Sequence, residues 1–169
     1  VRTDGAISFS GIVDCFCTVE NDKVTEILKK NKVDKLDFIC WTHPDFDHSK
    51  GLKDIIDMYA SEKTSIWIPE GIDAKEITCS QEVQKLFEYL RECTTNIVSE
   101  YNVYSVSDRK DMMFYNSVCF QKDMNGYPLE IISYAPNSKI IRKQNYMDQF
   151  IKNDRSIFFV LALGDVRIF

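Results

Sequence analysis

Histidine is scarce in this chain, with two in 169 residues and none after His48. Any chemistry that needs imidazole is therefore confined to one stretch. A basic surplus is missing too. Twenty-six acidic side chains against 21 basic ones give a net charge of −5, which speaks against a dominant nucleic-acid footprint on the surface. Divalent ions held in a site would still supply positive charge locally. No apolar run approaches the roughly 20 residues of a membrane span, and no basic-then-apolar leader opens the sequence. A cytoplasmic chain without a membrane segment is expected. The six cysteines, at 15, 17, 40, 79, 93 and 119, form no C-x-x-C pair. Reduced thiols are expected, with Cys40 and Cys119 packed in apolar strand-like runs. Cys15 and Cys17 make a C-x-C whose spacing is not the usual zinc one. Repeats, low-complexity tracts and linkers are absent as well. Residues 1–169 therefore read as one domain, and a 44% hydrophobic chain has material for one substantial core.

What is present is concentrated in six residues. Both histidines lie in His43-Pro44-Asp45-Phe46-Asp47-His48, with two aspartates between them. Imidazole nitrogen and carboxylate oxygen are ligands of Zn²⁺, Mn²⁺ and Fe ions. The preceding Leu36–Thr42 reads as a buried strand and the following Lys50–Tyr59 as the start of an amphipathic helix, so the motif sits on a strand-to-helix loop. Pro44 pushes His43 out of the helical region and keeps it pointing off the strand end. Asp47 and His48 are adjacent and poorly placed to share an ion. Two metals are therefore expected, one on His43 and Asp45, the other on Asp47 and His48. The bland alternative makes Asp47 a helix N-cap, Asp45 an Asx-turn residue and the histidines ordinary loop residues.

The remaining elements alternate. A strand over Ala6–Val13 precedes a helix over Asp22–Asn31, whose apolar face is Val24, Ile27 and Leu28. Ser65–Ile68 reads as a strand, and a helix from about Ser80 to Cys93 carries Val83, Leu86, Phe87 and Leu90, capped by Thr78 or Ser80. Asn102–Val106 follows, then Ser117–Gln121 and Leu129–Ser133 around a turn at Asn125-Gly126, and a last pair closing on Gly164-Asp165. Residues 136–154 are polar and irregular, a lid-like loop or short helix. Lys139, Arg142, Lys143, Lys152 and Arg155 form either a phosphate-facing cluster or a solvated face.

The segment from Thr42 to Leu52 resembles the first signature of the metallo-beta-lactamase superfamily, H-x-H-x-D-H followed by a small-residue helix start. Asp45 stands where most members have the second histidine. The variant H-x-D-x-D-H is similar to the metallo-hydrolase domain of the DNA-internalisation competence proteins. Gly11–Cys15 resembles the strand-end I-D element that precedes that motif, with Phe16 and Cys17 where a glycine is usual. The stretch Asn153–Leu161 and then Gly164–Phe169 resembles the hairpin that leads into the family's T-G-D triplet. That triplet and the later histidines are not in the sequence, so the chain is expected to be the N-terminal half of such a domain and to bind metal weakly by itself.

The resemblance implies an α/β fold, an αββα sandwich of mixed sheets with outer helices, incomplete at its C-terminus. It implies a metal-dependent hydrolase with two divalent ions, Zn or Mn, in the complete protein. His43, Asp45, Asp47 and His48 would be the ligands, and Asp47 would orient or deprotonate the attacking water. Asp45 in place of histidine makes its site oxygen-rich and shifts preference towards Mn²⁺ or Mg²⁺, ions suited to phosphate. A phosphodiesterase or nuclease, with a nucleic acid or other phosphodiester as partner, is the first expectation. A thioester or lactam hydrolase on the same fold and a non-catalytic binding module are the alternatives.

Overall fold

The computed structural model describes residues 1–3, 5–71, 79–95, 101–108, 112–122, 125–144 and 155–169. Two sheets dominate. The first is parallel throughout, in the order β3 (Gly11–Val13), β4 (Phe38–Cys40), β5 (Ser65–Pro69), β6 (Asn102–Val106). Between successive strands lie α1 (Lys23–Lys30), then α2 (Phe46–Ser49) with α3 (Leu52–Tyr59), then α4 (Gln81–Thr95). Parallel neighbours require such crossovers. The second sheet is antiparallel, in the order β10 (Val166–Ile168), β9 (Phe158–Leu163), β8 (Asn125–Ala135), β7 (Met112–Lys122). A small hairpin, β1 (Arg2–Thr3) with β2 (Ala6–Ile7), precedes both, and α5 (Ser138–Gln144) follows β8.

Side chains alternate across the parallel sheet because successive strand residues point to opposite faces. Ile12, Ile39, Ile66 and Val103 lie on one face with Leu28 of α1, Leu52, Ile55 and Ile56 of α3, and Val83, Leu86 and Leu90 of α4. Phe38, Cys40 and Trp67 lie on the other, packed with Leu129, Ile131, Phe159 and Leu161 of the antiparallel sheet. The central strands are thus buried on both faces, which explains why their sequences read as continuous apolar runs. Trp67 joins the two sheets: it is 1% exposed, and its ring meets Phe38 and Phe159 edge-on at centroid distances of 5.2 and 6.1 Å. Replacing Trp67 by alanine is expected to cost about 3–5 kcal/mol, read as a lower urea midpoint. A loss below about 1 kcal/mol would show that the sheets do not pack through this ring.

Several expectations need correction. Neither large sheet is mixed: among the described residues one is parallel and the other antiparallel. The stretch Ala6–Val13 divides into two short strands, with β2 paired to β1 and β3 to β4. Ile27 leaves the buried face of α1. It is 58% exposed and lines an apolar cleft of about 680 Å³ shared with Phe9, Val13, Phe159, Ile168 and Phe169. Asn125 and Gly126 belong to β8, facing Lys122 and Gln121, and the residues between Lys122 and Asn125 lie outside the described set. Arg155 is 1% exposed and cannot belong to a surface cluster, while Lys152 lies outside the described residues. Residues 138–144 form α5, and 145–154 lie outside the described residues. The Gly164-Asp165 hairpin is present, with Gly164 at φ 58 as a two-residue turn demands of its first central position. No helix among the described residues is long and apolar enough to cross a membrane.

Candidate metal centre

The parallel sheet brings two strand ends together. The N–H of Asp14 donates to the carbonyl of Cys40 at 2.8 Å, extending the β3–β4 ladder by one step. Asp14 therefore arrives beside Thr42 and His43 although it is far from them in sequence. The Ile157 N–H donates to the carbonyl of Thr42 at 2.9 Å and fixes the strand end from the other side. The chain then passes through Asp45, extended at φ −94 and ψ 151, into the single turn of α2. Asp47 lies inside that turn and is not its N-cap; Asp45 holds the cap position without a side-chain capping bond, and α3 starts separately after Gly51 at φ 82. The amphipathic helix thus begins at Leu52 and not at Lys50. Buried Ser49 ties the turn to the core, accepting from Trp41 Nε1 at 3.0 Å and donating to the carbonyl of Asp45 at 2.6 Å.

The two imidazoles face each other with centroids 3.9 Å apart. His43 Nε2 lies 3.5 Å from Asp45 Oδ2, and His48 Nε2 lies 3.7 Å from Asp47 Oδ2. The residues paired in the sequence reading are thus neighbours. Asp14, which that reading did not count among the ligands, lies against them: one candidate ligand atom each from Asp14, His43 and His48 lies within 4.8 Å of the others. Its signal was its place at the end of β3, since the ends of parallel neighbours lie side by side.

Hydrogen bonding separates the roles. Asp14 Oδ1 accepts from the Thr42 N–H at 2.7 Å, and Oδ2 accepts from Thr42 Oγ1 at 2.6 Å and from His48 Nδ1 at 2.7 Å. A carboxylate has no proton to give, so His48 carries a proton on Nδ1, and in the neutral ring the lone pair is on Nε2. Thr42 donates its one hydroxyl proton to Asp14 and so accepts from His43 Nδ1 at 2.9 Å. His43 is therefore also the Nδ1–H tautomer. Each Nε2 atom lies near a carboxylate oxygen, His43 near Asp45 and His48 near Asp47. Two imidazole nitrogens and two carboxylates fit divalent cations, and Asp14 and Thr42 orient the rings behind them.

Burial holds the His43 imidazole below its ordinary pKa of 6.5, helped by the neighbouring His48 ring and opposed by Asp45 and Asp14. A depressed folded value stabilises the protein above the unfolded value, and that contribution is lost as pH falls through the folded one. With a chelator present, the melting temperature should fall between pH 7 and 5 by less in His43→Gln than in the natural sequence (about 6.5 being the pivot). Equal slopes would exclude this residue as a cause.

Burial keeps the neighbouring thiols protonated. Burial raises Cys15 far above the ordinary thiol value, Cys17 is also raised chiefly by burial, and buried Cys40 is raised by burial and by the charge of Asp14. Comparison with protein-family models, with curated proteins and with solved structures finds no match for this chain.

Proposed function

We propose that the chain carries the metal-binding loop of a metal-dependent hydrolase of the metallo-beta-lactamase kind, acting on phosphodiesters such as nucleic acid. One observation carries the reading: two imidazoles 3.9 Å apart between centroids, each with an aspartate oxygen within 3.7 Å of its Nε2. His43 with Asp45, and His48 with Asp47, would hold the ions. When bound, divalent cations supply Lewis acidity and offset the negative charge of a phosphate. Asp47, the most exposed of the four, is free to orient the attacking water and take its proton. Asp14 and Thr42 keep both rings in the tautomer that ligation needs. The two carboxylates favour harder ions, and that points to phosphate rather than to a thioester or lactam. The loop lies at the C-terminal end of a parallel strand, where open α/β sheets carry their ligand sites.

The test is hydrolysis of bis(p-nitrophenyl) phosphate and of single- and double-stranded DNA, with Mn²⁺, Mg²⁺ or Zn²⁺ added after chelation. Cleavage that needs metal and is strongest with Mn²⁺ is the expected result. Cleavage indifferent to chelation, or metal binding unchanged in a His43→Ala, His48→Ala double variant, would remove the proposal.

A further inference from the structure

Cys15 and Cys17 have no part in the hydrolytic reading. The two sulfur atoms are 3.1 Å apart, about 1 Å beyond a covalent S–S bond. Their segment is laced to the metal-binding turn. The Cys15 N–H donates to the carbonyl of His48 at 3.1 Å, and the Cys17 N–H to that of Lys50 at 2.8 Å. A Cβ added at Gly51 would lie 2.7 Å from Cys17 Cβ, so the α2–α3 junction packs directly on this cysteine. Asp14, next in the chain, holds the His48 ring. We propose that Cys15 and Cys17 form a thiol–disulfide exchange site for small-molecule disulfides, and that its redox state is transmitted to His48.

The exchange balances without any bound cofactor. Cys17, the more accessible, loses its proton and attacks one sulfur of a disulfide RS–SR; the S–S bond breaks and RS⁻ leaves to be protonated as RSH. Cys15, 3% exposed and adjacent, then attacks the Cys17 sulfur of the mixed disulfide and expels the second RSH. Two electrons pass from the cysteine pair to RS–SR, and two RSH molecules result. Burial favours both protonated thiols, so the exchange is slow. Closing the bond shortens the sulfur separation and shifts Cys17 against Gly51, and the two backbone bonds carry that shift into the His48 turn.

The experiment does not depend on metal or on turnover. The folded protein is equilibrated with glutathione buffers from fully reduced to fully oxidised, quenched in acid, alkylated and digested with trypsin. Cys15 and Cys17 are the only cysteines between Arg2 and Lys23 and so share one peptide, Thr3–Lys23. Under oxidising conditions that peptide is expected to resist alkylation and to weigh two hydrogens less than the dithiol. Reduction should restore two alkylated sites. In parallel, the ring-proton signals of the chain's two histidines are followed by NMR, assigned with His43→Gln. The His48 signal should move on oxidation in the natural sequence and stay fixed in Cys17→Ser. A peptide alkylated twice in every buffer, glutathione left on Cys17, or a cross-link to another cysteine would overturn the exchange site. A Cys15–Cys17 disulfide with no movement of the His48 signal would overturn the coupling.

Discussion

Asp47→Asn is expected to lower phosphodiester hydrolysis by about 10²–10⁴-fold, the range associated with losing a positioned proton acceptor. The fold should hardly notice. Asp47 lies in the single turn of α2 with its side chain 72% exposed, and its nearest partner is His48 Nε2 at 3.7 Å. Surface positions of this sort usually change stability by less than about 0.5 kcal/mol, and asparagine keeps the side chain's size. What disappears is the charge: an amide neither offsets a cation nor takes a proton from water. Mn²⁺ affinity should therefore fall together with the rate, while the melting temperature stays close to that of the natural sequence. Full activity in this variant would return Asp47 to the role of a solvated helix residue. A large loss of stability would show that it holds the turn together.

Much of the framework was legible because burial imposes simple periods. Ile39 and Ile66, on strands buried on both faces, and Val83, Leu86 and Leu90 at helical spacing, all lie in one core. Asp22, expected at the start of the first helix, caps it by accepting from the Thr25 N–H at 3.0 Å. Ser80 does the same for α4, accepting from Val83 N–H at 3.3 Å. Failures occurred where tertiary contacts override a local pattern. Ile27 has the right helical spacing but faces a cleft at the sheet margin, and spacing alone does not say where the sheet ends. Asn125-Gly126 has turn chemistry yet is drawn into β8, because pairing with β7 continues as far as Lys122. The candidate site was half legible for the same reason. His43, Asp45, Asp47 and His48 are contiguous, so local sequence suffices to group them. Asp14 and the tautomers it dictates depend on which strands are neighbours, and no window of sequence contains both partners.

Asp14→Asn is the sharpest test of that long-range contact, with an expected loss of about 10–100-fold in metal affinity, the effect of disturbing a partner behind a ligand. Asp14 sits at φ 55, a region that asparagine adopts more readily than alanine, so the backbone should survive. The amide must place its oxygen where Oδ1 accepts the Thr42 N–H, since that donor has to be met. The NH₂ group then takes the Oδ2 position, facing Thr42 Oγ1 and His48 Nδ1. It can only donate there. His48 Nδ1 is forced to accept, its proton moves to Nε2, and the lone pair meant for the cation is lost. The hydroxyl of Thr42, now an acceptor from the amide, can turn its own proton to His43 Nδ1 and reverse that ring as well. Asp14→Ala should weaken the fold more, through the positive φ, but affect the tautomers less, because water can accept from Nδ1. The comparison therefore has a defined order: titration calorimetry with Mn²⁺ should rank natural sequence above alanine above asparagine, whereas thermal melting should place asparagine above alanine. If asparagine bound metal as well as the natural residue, the tautomer argument would fail and Asp14 would be no more than a backbone anchor for Thr42.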